Sequence, residues 1–235
     1  TLYGSLTAIS TGDKNILTIE DPVEYQLDGI SQVQVNTKKG LTFSAGLRSF
    51  LRQDPDVMMV GEIRDVETAE IAIRAAITGH LVFSTVHTND APSTVTRLID
   101  LGLEPYLVSS SLVLVVAQRL VRCLCDSCHE WVIPDEHQLA QLRAIGINAS
   151  QLKDGKMAVA NGCAECFHSG FSGRTALYEL MPMTDTLREL VMDNVSATVL
   201  KRAAVEGGMR TLRSDGNLKV IDGITSPDEV LRVTQ

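Results

Sequence analysis

The sequence is poor in aromatic residues. Phe, Trp and Tyr make up 4% of 235 residues, with a single Trp. Its core must therefore be built from Leu, Val, Ile and Ala. It also lacks an excess of positive charge: 21 Lys and Arg against 29 Asp and Glu leave a net charge of −8. That argues against wholesale binding along a phosphate backbone, which needs a basic surface, although a local basic groove is compatible with an acidic total. Long apolar runs are missing too. The most apolar stretch, residues 107–117, is interrupted by Ser109, Ser110 and Ser111 and falls short of the roughly 20 residues a membrane-spanning helix needs. The first residues carry no basic stretch followed by an apolar one, so no signal peptide is read. They begin without Met and already read as helix. No internal repeat and no low-complexity segment is present. What remains suffices for one large domain, or a domain with a small appendage.

Cysteine is the next feature. Of five cysteines, four fall in two Cys-x-x-Cys pairs, Cys125/Cys128 and Cys163/Cys166. Without a secretory signal, that pattern points to metal before disulfides. Each pair brings two thiolates to one metal edge, and a complete set of four leaves no open coordination position, so Zn²⁺ held there would be structural. Buried free thiols or a redox pair would suit one such motif better than two. Cys123 stands outside the set. His129 and His168 could replace a ligand only if a cysteine pointed away.

Periodicity predicts alternating helices and strands. Residues 1–11 read as helix, 15–19 and 31–35 as strands, and 43–53 as an amphipathic helix with Phe43, Leu47, Phe50 and Leu51 on one face. Asp54-Pro55-Asp56 stops it. The continuous apolar run 57–60 suits a strand buried on both faces; 66–78 returns to helix; 81–86 reads as a further buried strand. Residues 92–101 and 105–121 read as helices. Residues 173–183 are strand-like and the remainder helical, with Thr184 and Ser196 as caps and Ser226-Pro227-Asp228-Glu229 as a capping box. The alternation implies an α/β fold with a mainly parallel sheet covered on both sides. The expected division is an α/β core over 1–122, a cysteine module over 123–172, and a C-terminal strand and helices over 173–235.

The chemistry concentrates at strand ends. A buried apolar strand delivers Glu62 to its carboxyl end, where ligands of open α/β sheets bind. In phosphate-transferring ATPases a carboxylate there holds Mg²⁺ or orients the attacking water. Alone it would read as a solvated strand terminus. A second acidic cluster, Glu20-Asp21-Pro22-Val23-Glu24, follows another short strand, and His87 ends a third, where a γ-phosphate sensor would sit. His80 precedes its strand and is the weaker histidine. Arg48 and Arg52, one helical turn apart, suit phosphate or neighbouring-subunit contacts as well as a solvated face.

Together the runs Glu20-Asp21-Pro22-Val23-Glu24-Tyr25, Leu51-Arg52-Gln53-Asp54-Pro55-Asp56 through Gly61-Glu62-Ile63-Arg64-Asp65, and Thr78-Gly79-His80 through His87-Thr88-Asn89 resemble the acidic box, Walker B motif and histidine box of type II secretion and type IV pilus ATPases. The resemblance covers nearly the whole chain, in order. It implies a RecA-like P-loop ATPase core, ATP and Mg²⁺ as ligands, a homo-hexamer with sites between subunits, and coupling to an inner-membrane platform protein from the cytoplasmic side. By resemblance Glu62 is the Walker B glutamate, Glu20 and Glu24 are acidic-box groups for metal or water, Asp21 lies beside the nucleotide, and His80 and His87 belong to the histidine box. Gly61 stands where many P-loop ATPases carry a Mg²⁺-binding Asp. The tetracysteine module favours the secretion and pilus-extension side over retraction.

One part of that family is not in the sequence: the phosphate loop Gly-x-x-x-x-Gly-Lys-[Ser/Thr]. Residues 1–4 resemble the helix that follows it, and the chain is expected to lack ATPase activity alone, because that loop gives the phosphates several backbone N–H groups and a Lys. The competing reading is a non-hydrolytic, zinc-containing interaction module. A zinc-ribbon nucleic-acid binder is disfavoured by the acidic charge.

Overall fold

The computed structural model describes residues 1–234. In chain order its elements are α1 (Leu2–Ile9), β1 (Ile16–Glu20), β2 (Ser31–Gln34), α2 (Phe43–Phe50), β3 (Val57–Val60), α3 (Val66–Ile77), β4 (Leu81–Ser84), α4 (Ala91–Asp100), α5 (Pro105–Ser111), β5 (Leu114–Leu124), β6 (Glu130–Val132), α6 (Glu136–Ile145), β7 (Met157–Val159), β8 (Phe171–Pro182), α7 (Asp185–Met192), α8 (Ala197–Glu206), α9 (Leu212–Ile221) and α10 (Pro227–Val233). Contacts divide the chain into two compact units, 1–113 with 183–201, and 114–182 with 202–235.

The first unit holds a four-stranded parallel sheet in the order β2-β1-β3-β4. β1 and β3 are buried along their whole length, as strands covered on both faces must be. Ile16, Val57 and Met59 pack with Leu6 of α1 on one face. On the other, α2 comes so close that a Cβ at Gly46 would lie 2.0 Å from Ile19 Cδ1. Caps set the helix starts: Thr42, Asp65, Asp90 and Thr184 each accept from a backbone N–H in the first turn. β4 is the edge strand rather than a buried one, and Leu81 is 45% exposed. Arg188 of α7 donates to the carbonyls of Ser109 and Leu112, closing the C-terminal end of α5.

The second unit is built on a long antiparallel ribbon of β5 and β8. Here the sequence expectation fails: residues 105–121 are not one helix but α5 followed by a strand. The pairing runs from Leu114↔Pro182 to Leu124↔Phe171 with one irregularity between Arg122 and Leu124. It joins residues expected to lie in separate parts of the chain, which is why the units divide differently from 1–122, 123–172 and 173–235. A core of Leu142, Ile145, Ile147, Leu152, Met157, Val220 and Val230 packs α6 against α9 and α10. The predicted capping box at Ser226 is half made. Its hydroxyl accepts from Glu229 N, but the Glu229 carboxylate turns away to Arg122 and Arg232.

Candidate functional site

The carboxyl ends of β1, β3 and β4 open into a cleft of about 280 Å³ within the first unit, lined by Leu2, Tyr3, Glu20, Asp21, Pro22, Glu24, Phe43, Met59, Gly61, Glu62, Thr85 and His87. Parallel strands present all their carboxyl ends on one edge, so groups distant in sequence meet there. Gly61 N–H donates to the Ile19 carbonyl at 2.8 Å and Ile63 N–H to the Thr85 carbonyl at 2.9 Å. The Thr85 hydroxyl donates to the Gly61 carbonyl at 2.6 Å. These bonds carry the sheet's pairing one step past the strands and fix Glu62 between its neighbours. A side chain at Gly61 would crowd the Glu20 Cα, 3.3 Å from the ideal Cβ position.

Glu62 is held in the cleft by two side chains. Its side chain is 12% exposed; Oε1 lies 2.6 Å from Arg64 and Oε2 3.2 Å from His87 Nε2. Glu20 is 4% exposed and accepts hydrogen bonds from the Thr18 hydroxyl at 2.5 Å, the Gln32 amide at 3.0 Å and the Tyr3 hydroxyl. Burial first, then the Glu20 carboxylate, push the Tyr3 phenol above its ordinary pKa. Asp21 and Glu24 stand exposed on the loop after β1.

Five expected residues, Glu20, Asp21, Glu24, Glu62 and His87, thus surround one cleft. Three others do not join it. Arg48 is on the exposed face of α2, 2.7 Å from Glu67; that contact holds Glu67 below its ordinary pKa. Arg52 follows the same helix, exposed. His80 lies at the amino end of β4, the opposite edge of the sheet, where its Nδ1 meets the Ala75 carbonyl at 2.9 Å and closes the end of α3. Tyr3, Thr18, Gln32 and Thr85 were not anticipated. The signal for two of them was in the strands: Thr18 and Glu20 are two apart on β1, so share a face, and Gln32 pairs directly with Thr18.

In the second unit the four expected cysteines converge, with all four Sγ atoms within 4.8 Å of one another. Sγ–Sγ separations are 4.0 Å for Cys125/Cys163 and 3.8 Å for Cys128/Cys166 and Cys163/Cys166. A tetrahedron with metal–sulfur bonds of about 2.3 Å has edges of about 3.8 Å, whereas a disulfide needs about 2.05 Å. The donor set therefore fits Zn²⁺ and not a disulfide. Backbone N–H groups of Cys163 and Gly170 donate to Cys166 Sγ at 3.2 Å, and that of Gly162 to Cys128 Sγ at 3.3 Å. The bond from Cys163 N–H leads in lowering the Cys166 thiol to about 6; burial leads in raising Cys128 to about 12. No cysteine points away, and His129 instead bonds the Cys125 carbonyl at 3.0 Å. Cys123 is outside the cluster. Among the described residues no helix is long and apolar enough to cross a membrane.

Comparison with known proteins places this architecture. A family model described as "Type II/IV secretion system protein" matches residues 1–232. The type II secretion system protein E of Pseudomonas aeruginosa is 51% identical over 235 residues, covering all of this chain and 46% of that protein. The type IV pilus assembly ATPase PilB of Thermus thermophilus is 48% identical over 234 residues, again the whole chain but 26% of that protein. Among solved structures, the pilus retraction motor PilT with bound ADP superposes with a TM-score of 0.67 at 26% identity, over 98% of this chain and 55% of that one. The Legionella pneumophila ATPase DotB shares the fold, with a TM-score of 0.65 at 23% identity. The chain thus spans about half, or less, of the length of these relatives. It belongs to the type II/IV secretion system protein family.

Proposed function

We propose that the protein is an ATP-hydrolysing motor subunit that powers type II secretion or type IV pilus assembly. It would work as a homo-hexamer on the cytoplasmic face of the inner membrane, against a membrane platform protein. The names of the relatives support the motor role. The observation that carries the catalytic reading is Glu62: a nearly buried carboxylate at a strand end, held by Arg64 and His87 and facing the acidic loop across one cleft.

In this reading Glu62 orients and polarises the attacking water, and His87 holds that carboxylate in register and meets the terminal phosphate. Asp21 and Glu24 supply acidic groups at the cleft mouth. Bound Mg²⁺ would neutralise charge on the phosphates, held by these carboxylates because Gly61 offers no side chain. Arg48 and Arg52 would meet nucleotide only across a subunit boundary. The four cysteines would hold one structural Zn²⁺, which fixes the knuckles between β5 and β8 and leaves no position open for chemistry.

Steady-state ATP hydrolysis with Mg²⁺ tests this, comparing the full-length protein, its Glu62→Gln variant and these 235 residues alone. Activity of the full-length protein that Glu62→Gln silences supports the motor. These 235 residues contain no Gly-x-x-x-x-Gly-Lys-[Ser/Thr] loop, so the chain by itself should be inactive. A full-length protein inactive even with its membrane partner would favour the interaction-module reading.

A further inference from the structure

We infer that Tyr3 is a positioning residue for the acidic loop after β1, and that Glu20 is that loop's buried anchor rather than a ligand of metal or water. The inference rests on the motor reading above and divides the labour among its carboxylates.

The donors around Glu20 come from three elements. Thr18 lies on β1 itself, Gln32 on the neighbouring β2, and Tyr3 on α1. An ionised carboxylate offers about four acceptor sites, and three are taken. Thr18 is fully buried and Glu20 nearly so. To turn both oxygens to a cation, Glu20 would have to abandon these three donors, and a buried donor such as the Thr18 hydroxyl left without a partner is costly. Glu24 is under no such constraint: its carboxylate is exposed at the mouth of the same cleft.

The Tyr3 oxygen then passes this anchorage on to the loop. It accepts from the backbone N–H of Glu24 at 3.2 Å and from the Gln32 amide at 3.3 Å. The Tyr3 ring meets the Tyr25 ring edge-on, with centroids 4.6 Å apart at 78°. Gln32 finishes the stitching: its amide donates to the Tyr25 carbonyl at 3.2 Å, and its carbonyl accepts from Leu27 N–H at 2.6 Å. One hydroxyl therefore sets where the Glu24 backbone lies, and thus where its carboxylate can reach. Displacing a reacting group by about 1 Å can cost on the order of 100-fold in rate, so the effect should reach turnover without any contact between Tyr3 and substrate.

The test uses the full-length protein and Tyr3→Phe, which keeps the ring contact with Tyr25 and removes the hydroxyl. Gln32→Met removes the second set of bonds independently, should Tyr3→Phe fold poorly. Amide hydrogen exchange over residues 21–27, in protein without nucleotide, is expected to rise in both. Turnover should fall about tenfold with KM for ATP changed less than about twofold. Glu20→Gln should show the same paired pattern of faster exchange and lower kcat. Glu24→Gln and Glu62→Gln should lose turnover with exchange unchanged. Wild-type exchange in Tyr3→Phe and Gln32→Met would overturn the positioning role. Complete loss of turnover in Glu20→Gln with exchange unchanged would make Glu20 a reacting group and overturn the anchor role. Full activity of Glu62→Gln would sink the motor reading instead, and the exchange measurement would still decide whether Tyr3 holds the loop.

Discussion

His87, three residues past β4, reaches Glu62, two residues past β3, with Nε2 3.2 Å from Oε2. The two side chains differ in setting: the imidazole is 83% exposed and the Glu62 carboxylate 12%. A contact so wet on one side adds little to stability. Under the proposed motor function its value would lie in aiming the carboxylate. His87→Ala in the full-length protein should therefore leave the melting temperature unchanged and lower kcat for ATP by about 100-fold. Arg64→Ala removes the other partner of Glu62, itself 69% exposed, and should cost less than about fivefold, the equivalent of roughly 1 kcal/mol. Equal losses in the two variants would show that charge on Glu62, not its orientation, is what matters.

The cysteine cluster predicts close to one zinc per chain by metal analysis. Its weak point is Gly162, which has φ +107° and whose N–H donates to Cys128 Sγ. An added Cβ there would lie 2.8 Å from the backbone oxygen of His168, and backbone cannot swing aside as a side-chain tip can. Gly162→Ala should release zinc to a chelator at least about tenfold faster than wild type, since disturbing groups that hydrogen-bond a metal's ligands commonly costs about 10–100-fold in metal affinity. Well-folded protein without zinc would refute the metal assignment itself.

Glu229 predicts an acid-sensitive second unit. Its carboxylate is 2% exposed and binds Arg232, the Arg122 guanidinium and the Arg122 backbone N–H. Arg232 first, and then Arg122 against the cost of burial, hold its pKa at about 2 instead of the ordinary 4.5. The folded state thus binds this proton less readily than the unfolded state. The stabilisation is complete above about pH 5 and is lost as pH falls through 4.5 toward 2. Urea denaturation from pH 7 to pH 2 should show this acid decline. Glu229→Gln should be about 2 kcal/mol less stable at pH 7 and decline less steeply below pH 5.

What could be read from the sequence follows from how local each signal is. β3 was legible because Val57, Met58, Met59 and Val60 form an unbroken apolar run closed by Asp54-Pro55 and Gly61. Glu62 was legible because it ends that run. Residues 105–121 were misread because Leu107 to Ala117 is apolar everywhere but Ser109, Ser110 and Ser111 and carries neither period clearly. The strand is decided by β8, about sixty residues on, which pairs Val115 with Met181 and Val121 with Thr175. His80 and His87 are close in sequence but bracket β4, so the sheet sends them to opposite edges. Tyr3 carried no local signal, and Gln32 only its place on a strand beside β1, because their roles exist only once α1 and β2 flank β1. The cysteines were legible to the residue, since two Cys-x-x-Cys turns constrain their own geometry.

The glycines buried under helices give a last, quantitative test. An alanine at Gly216 of α9 would place its Cβ 2.6 and 2.9 Å from the two Val230 methyls and 3.2 Å from Leu177 Cδ1. Both neighbours are fully buried, and Val230 is β-branched, with little rotamer freedom to move both methyls at once. An alanine at Gly46 of α2 meets Ile19 Cδ1 at 2.0 Å, but the next atom, Ile19 Cγ1, is already 3.4 Å away. Turning one terminal methyl relieves it. Each substitution gains about 1 kcal/mol of helix propensity, against overpacking that costs about 1–3 kcal/mol. Gly216→Ala should therefore be the more destabilising, by about 2 kcal/mol net, and Gly46→Ala close to neutral in urea denaturation. The reverse order would mean that α9 can slide on β8 more easily than Ile19 can change rotamer beneath α2.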